Sequence, residues 1–96
     1  MKRIKNVKEL KIGTKMVNIY DGKEDYYEFL MVHPHNDKYV LLLDDLTQNA
    51  KKFYIPNIEM SAYWQIDYTR KDLLNYLYNY YLEKADRMLD IIKNEE

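Results

Sequence analysis

The chain contains no cysteine, which excludes disulfides, thiolate metal sites and a cysteine nucleophile. Such a chain suits a reducing compartment, and a cytoplasmic protein is expected. Glycine and proline number only two each in 96 residues, so there is no glycine-rich phosphate loop and little backbone that could approach a ligand closely. No G-x-S-x-G or HExxH motif occurs either, and neither catalysis nor a cofactor is expected. No apolar run approaches the roughly 20 residues that a membrane span needs. Lysines interrupt residues 1–13 too often for the apolar stretch of a secretory leader. A soluble single domain covering residues 1–96, with no membrane partner, is therefore expected. Charge is also nearly balanced, with 15 basic and 16 acidic side chains and a net charge of −1. That argues against a general nucleic-acid binder while leaving room for a local basic patch.

Tyrosine is abundant, at eleven residues against two phenylalanines. Heavy use of Lys, Asn, Ile and Tyr, all with AT-rich codons, points to an AT-rich bacterial or phage source. Exposed tyrosines would also supply rigid amphipathic contact area at low entropy cost.

The longest regular pattern lies at the C-terminus. Residues 69–94 contain neither Gly nor Pro, and Thr69 followed three positions later by Asp72 forms a capping-box start. Leu74, Leu77, Tyr81, Ala85, Met88 and Ile92 recur at spacings of three and four, which predicts one apolar stripe on a long helix. Residues 14–68 read as a β-meander. Five strands are expected at 14–20, 26–32, 38–43, 52–55 and 60–68, with Asp21-Gly22 as a tight hairpin turn. Loops are expected at 33–37, at 44–49 and at Pro56-Asn57. Residues 1–13 form a basic segment in which helical and strand periods compete. The expected fold is α+β: a five-stranded, strongly curved antiparallel sheet or small SH3-like open barrel packed by one long C-terminal helix, with Trp64 in the core beneath the helix.

Several residue groups are candidates for function. His33, His35 and Asp37 share one loop, with Asp44 and Asp45 beyond the next strand. Pro34 separates the two imidazoles and no third fixed ligand is evident, so a surface turn is the reading and no metal site is expected. Asp44 and Asp45 read as turn residues, because adjacent carboxylates point apart. Lys51, Lys52, Phe53 and Tyr54 interleave cations with aromatic rings, and Arg70 and Lys71 add charge at the helix start. Together they form the candidate surface of a small nucleic-acid-binding barrel. Against this, residues 16–50 hold seven acids and only Lys23 and Lys38 as bases. That acidic set, Asp21, Glu24, Asp25, Glu28, Asp37, Asp44 and Asp45, could instead orient a basic partner. On the helix the apolar arc is wider than one sheet contact needs. Leu73, Tyr76, Tyr80 and Ile91 are therefore expected to bind another protein or a second copy of the chain. The leading functional expectation is a small non-catalytic protein-binding domain, a phage or mobile-element modulator or inhibitor of a host protein. Nucleic-acid binding is the alternative.

Overall fold

In the computed structural model, which describes residues 1–95, the chain forms a six-stranded antiparallel sheet that does not close on itself. The strands are β1 (Lys2–Arg3), β2 (Lys15–Tyr20), β3 (Lys23–Val32), β4 (Tyr39–Asp44), β5 (Ala50–Tyr54) and β6 (Tyr63–Gln65), in the order β1-β6-β2-β3-β4-β5. From β2 to β5 the path is the expected meander. Asp21 and Gly22 take φ values of 52° and 74°, the left-handed conformations that a two-residue hairpin requires. A short helix, α1 (Ile55–Met60), then returns the chain to β6, which inserts between β1 and β2. Pro56 lies in the first turn of α1, where a missing N–H costs no hydrogen bond.

Directly paired residues share a face of a sheet. Met16 opposite Tyr27, Phe29 opposite Leu42 and Val40 opposite Phe53 therefore line one side. These residues and Tyr63 pack with Ile4, Val7 and Ile58 in a single core, with Leu10 and Ile55 at its margin. Asn6 resolves the competing periods of the N-terminal segment. Its side chain accepts the Lys8 N–H and caps a 3-10 turn at Val7–Glu9. The Val7 N–H donates to the Glu59 carboxylate at 2.9 Å, tying that turn to α1. The N-terminal segment and α1 thus cover the sheet. A bulge between Phe29 and Met31 shifts the register of β3 against β4. The strand's second apolar face is used by Tyr26, which packs on Tyr68, while Met31 and Val32 beyond the bulge are exposed.

Four sequence expectations are corrected. The sheet has six strands instead of five, because Lys2–Arg3 pairs with β6. It is open, as expected, with β1 and β5 as its edges. Pro56-Asn57 begins a helix and does not end a strand. The last strand shrinks to three residues, and Tyr63 is its buried aromatic, while Trp64 is half-buried outside the core and Met60 is exposed.

The fourth correction concerns the long helix, α2 (Arg70–Asn94). Its start is as expected: Thr69 Oγ accepts the Asp72 N–H at 3.1 Å and the Asp72 carboxylate accepts the Thr69 N–H at 3.3 Å. Its packing is not. Leu73, 3 % exposed, is its one buried residue among those described, and beyond the first turns the helix runs clear of the sheet. At 25 residues it is about 37 Å long. The longest dimension of the molecule is accordingly 57 Å, against 25 and 24 Å for the others. The radius of gyration is 16.5 Å, where a compact chain of this length would have about 12–13 Å. The helix does not lie over the sheet because the core face is already covered. On the opposite face the root of the helix packs beside Val17, Tyr26 and Tyr68 through Leu73 and Tyr76, and its course then leads past the β2–β3 hairpin.

Candidate functional site

The face opposite the core is organised around Asp45, which is 1 % exposed. Its carboxylate accepts Lys15 Nζ at 2.9 Å and the Tyr68 hydroxyl at 2.6 Å. Lys15 also reaches Glu28, its cross-strand neighbour, at 2.9 Å. The backbone carbonyl of Asp45 accepts the Arg70 guanidinium and the Gln48 side-chain amide. Four separated pieces of sequence meet here: β2, β3, the β4–β5 loop and the root of α2. Tyr26 packs edge-on to Tyr68 with ring centres 5.5 Å apart, and Val17 is buried beside them, as is Leu73 on the helix. The cluster fixes the direction in which α2 leaves the sheet.

The electrostatics of this cluster favour holding protons. Burial alone would lower the Lys15 pKa, but hydrogen bonds to Asp45 and Glu28, reinforced by their charges, outweigh it and raise the pKa above 10.5. The Tyr68 hydroxyl is raised by burial and by its bond to Asp45. Tyr27, in the core, is pushed up to about 12, first by burial. These shifts run opposite to those that a neutral lysine nucleophile or a tyrosinate base requires. Because each folded-state pKa lies above its unfolded value, the associated stability is fully present below about pH 10 and is lost as pH rises through the folded values. The urea midpoint is expected to hold from pH 8 to 10 and to fall above it. In Tyr68→Phe, which loses one titrating group, that fall is expected to be shallower. An unchanged midpoint from pH 8 to 11.5 would contradict the arrangement.

A second cluster joins the β2–β3 hairpin to the helix root. Glu24 accepts hydrogen bonds from the Tyr26 hydroxyl and, at 3.2 Å, from the Tyr76 hydroxyl. Tyr76 stacks with Tyr80, and Lys84 Nζ sits 4.7 Å from the Tyr80 ring centre. This side of α2, bearing Leu73, Tyr76, Leu77 and Tyr80, looks toward the sheet and hairpin.

Most of the predicted stripe lies on the adjoining side of the helix, while its members Leu77 and Tyr81 line the gap to the hairpin. Leu74, Tyr78, Tyr81, Leu82, Met88, Leu89 and Ile92 are between 42 % and 66 % exposed, with Ala85 exposed among them. Asn79, Glu83, Asp86 and Asp90 form the polar back of the helix. The apolar stripe that the sequence assigns to the sheet is thus largely in solvent, with Leu77 half-buried against the hairpin. Of the flank expected to bind a partner, Leu73 is buried in the fold, Tyr76 and Tyr80 lie beside the hairpin, and Ile91 is exposed near the helix tip.

The remaining candidates are dispersed. Asp45 is internal, Glu28 is paired with Lys15, and Asp21, Glu24 and Asp25 lie at the β2–β3 hairpin. Burial would raise the pKa of Asp44, but N–H groups of Thr47 and Leu46 and the Lys51 ammonium lower it below 3.8. Asp37 sits in the β3–β4 turn at the other end of the strands. Lys51, Lys52, Phe53 and Tyr54 lie on the edge strand β5, where Lys51 is paired with Asp44 at 3.2 Å and Lys52 rests over Tyr39. Arg70 is engaged by backbone carbonyls of the β4–β5 loop, and Lys71 is exposed on the helix. The His33 imidazole accepts the His35 N–H at 3.1 Å, which closes their turn. Among the described residues no group of three or more His, Asp or Glu side chains converges as a metal-ligand set. None of the described helices is long and apolar enough to cross a membrane.

The Lys15–Asp45–Tyr68 cluster has no local signature. Asp45 is 30 positions from Lys15 and 23 from Tyr68, and only the pairing of β2 with β3 and of β3 with β4, with the return of the chain through β6, brings them together. No protein-family model, curated protein or solved structure matches the chain.

Proposed function

We propose that the protein is a non-catalytic protein-binding module whose docking element is the outer stripe of α2. One observation carries this reading: seven large apolar side chains, Leu74, Tyr78, Tyr81, Leu82, Met88, Leu89 and Ile92, lie about half exposed along one side of a helix that projects from its own domain. Soluble monomers rarely leave a contiguous apolar strip of this length uncovered, and such patches mark interaction surfaces. An amphipathic helix laid into a complementary apolar surface is a recurrent mode of protein recognition, read through anchors spaced three and four apart. The open sheet then serves as the mount, and the Asp45 cluster sets the helix direction.

The test compares the wild type with Leu82→Glu/Met88→Glu in nuclease-treated native-cell lysate. Both positions are solvent-exposed, so the sheet is expected to remain folded. The wild type is expected to elute in an assembly heavier than its 11.8 kDa chain and the variant as a single chain. Equal elution of the two would overturn the reading. An assembly that disappears on nuclease treatment would instead favour nucleic acid.

A further inference from the structure

We infer that the occupant of the α2 stripe is a second copy of this chain, with the two helices packed antiparallel and crossing near Ala85; this rests on the protein-binding reading and names its partner. The first argument is area. The six large side chains from Tyr78 to Ile92, each about half exposed, offer on the order of 500–600 Å² per chain, so a symmetric pair buries roughly 1,000–1,200 Å², enough for a specific interface. The second is length. Past Lys84, the last helix residue lining the gap to the hairpin, Ala85–Asn94 extends about 15 Å further, and a helical stretch that short is marginal in water without packing. With two copies laid antiparallel about Ala85, the stretch is covered along its whole length, and the two sheets lie at opposite ends.

The third argument is the distribution of side-chain volume. Ala85 is the one small residue in the stripe, so two backbones can approach there. On its N-terminal side stand Tyr78, Tyr81 and Leu82, and on its C-terminal side Met88, Leu89 and Ile92. Antiparallel pairing sets Tyr78 near Ile92 and Tyr81 near Leu89 of the other copy, which keeps the seam of even width. Parallel pairing stacks tyrosine on tyrosine at one end and aliphatic on aliphatic at the other, leaving a wedge that close packing disfavours. Opposed helix macrodipoles favour the same orientation. Lys84, the cation bordering the stripe, is turned back over Tyr80 and away from the seam.

Light scattering on the purified full-length protein is expected to give twice the 11.8 kDa chain mass, and Leu82→Glu/Met88→Glu a single chain that still unfolds cooperatively. Orientation is read with Tyr78→Cys and Ile92→Cys, clean reporters because the chain has no cysteine of its own. A short bis-maleimide is expected to join Tyr78→Cys to Ile92→Cys in a mixture, with little Tyr78→Cys dimer, the two products being separable by mass. Predominant Tyr78→Cys self-linkage would overturn the antiparallel arrangement. A single-chain mass for the purified wild type at millimolar concentration would overturn the second copy. If the lysate assembly persists in that case, protein binding stands with a foreign partner, whereas a single chain in both settings removes both readings.

Discussion

Asp45→Ala is expected to destabilise the fold by about 3–5 kcal/mol, the usual cost of removing one partner of a buried ion pair. The total stability of a domain of this size is about 5–15 kcal/mol, so the loss would be a large fraction of it. At about 4–8 °C per kcal/mol, the melting temperature should fall by more than ~10 °C. The cause is specific. With the carboxylate gone, the Lys15 ammonium keeps only Glu28 as an ionic partner, and the Tyr68 hydroxyl loses its acceptor in a partly buried position. Arg70 still finds the backbone carbonyl, so the helix start should remain capped while its attachment to the sheet loosens. The control is Lys15→Met/Asp45→Leu, which removes both charges and fills the space. It should recover most of the loss, because a well-packed apolar pair often matches a buried salt bridge in stability. Denaturant titrations of the three variants measure this directly. A loss below about 1 kcal/mol in Asp45→Ala would place it among ordinary surface substitutions and deny the cluster its anchoring role.

What was legible in the sequence follows the range of the forces involved. The Asp21-Gly22 hairpin and the Thr69–Asp72 capping box are set by neighbours within three residues, and both are present with the expected geometry. The meander from β2 to β5 follows from period-two alternation and turn residues, again local information. Larger errors arise where one segment decides the role of another. Lys2–Arg3 is a strand only because β6 offers it an edge. Pro56 reads as a terminator until it is placed at the start of a helix, where the same ring is tolerated. The apolar stripe of α2 was legible in full, yet its direction was not. Periodicity shows that a face is apolar and carries no information on which surface will cover it. Residues 4–10 and α1 had already taken the place that the helix was expected to fill. Asp45 failed as a reading for a related reason: beside Asp44 it looks like half of a loop dipeptide, and its partners Lys15 and Tyr68 are too far along the chain to signal one another.

Removing residues 84–96 separates the two parts of the molecule, and its expected effect on association is total. The core contains no residue of α2, and the Asp45 cluster needs only Tyr68 and Arg70 from the helix region. The sheet should therefore melt as it does in Leu82→Glu/Met88→Glu, within the ±0.5 kcal/mol typical of surface changes. Association, by contrast, loses Ala85, Met88, Leu89 and Ile92 and should fall below detection. The wild type offers an internal check through mass action. A chain stabilised by a second copy has a melting temperature that rises with protein concentration, and one without it does not. Melting temperatures measured across a hundredfold range of concentration should climb for the wild type and stay level for the truncated chain. Unfolding of the sheet on truncation would mean that the outer half of α2 belongs to the domain's own core, contrary to the protruding helix described above. A level wild-type melting temperature would remove the second copy and leave the stripe to a foreign protein. The helix is thus expected to be dispensable for folding and indispensable for binding, a division of labour that a helix packed over the sheet could not show.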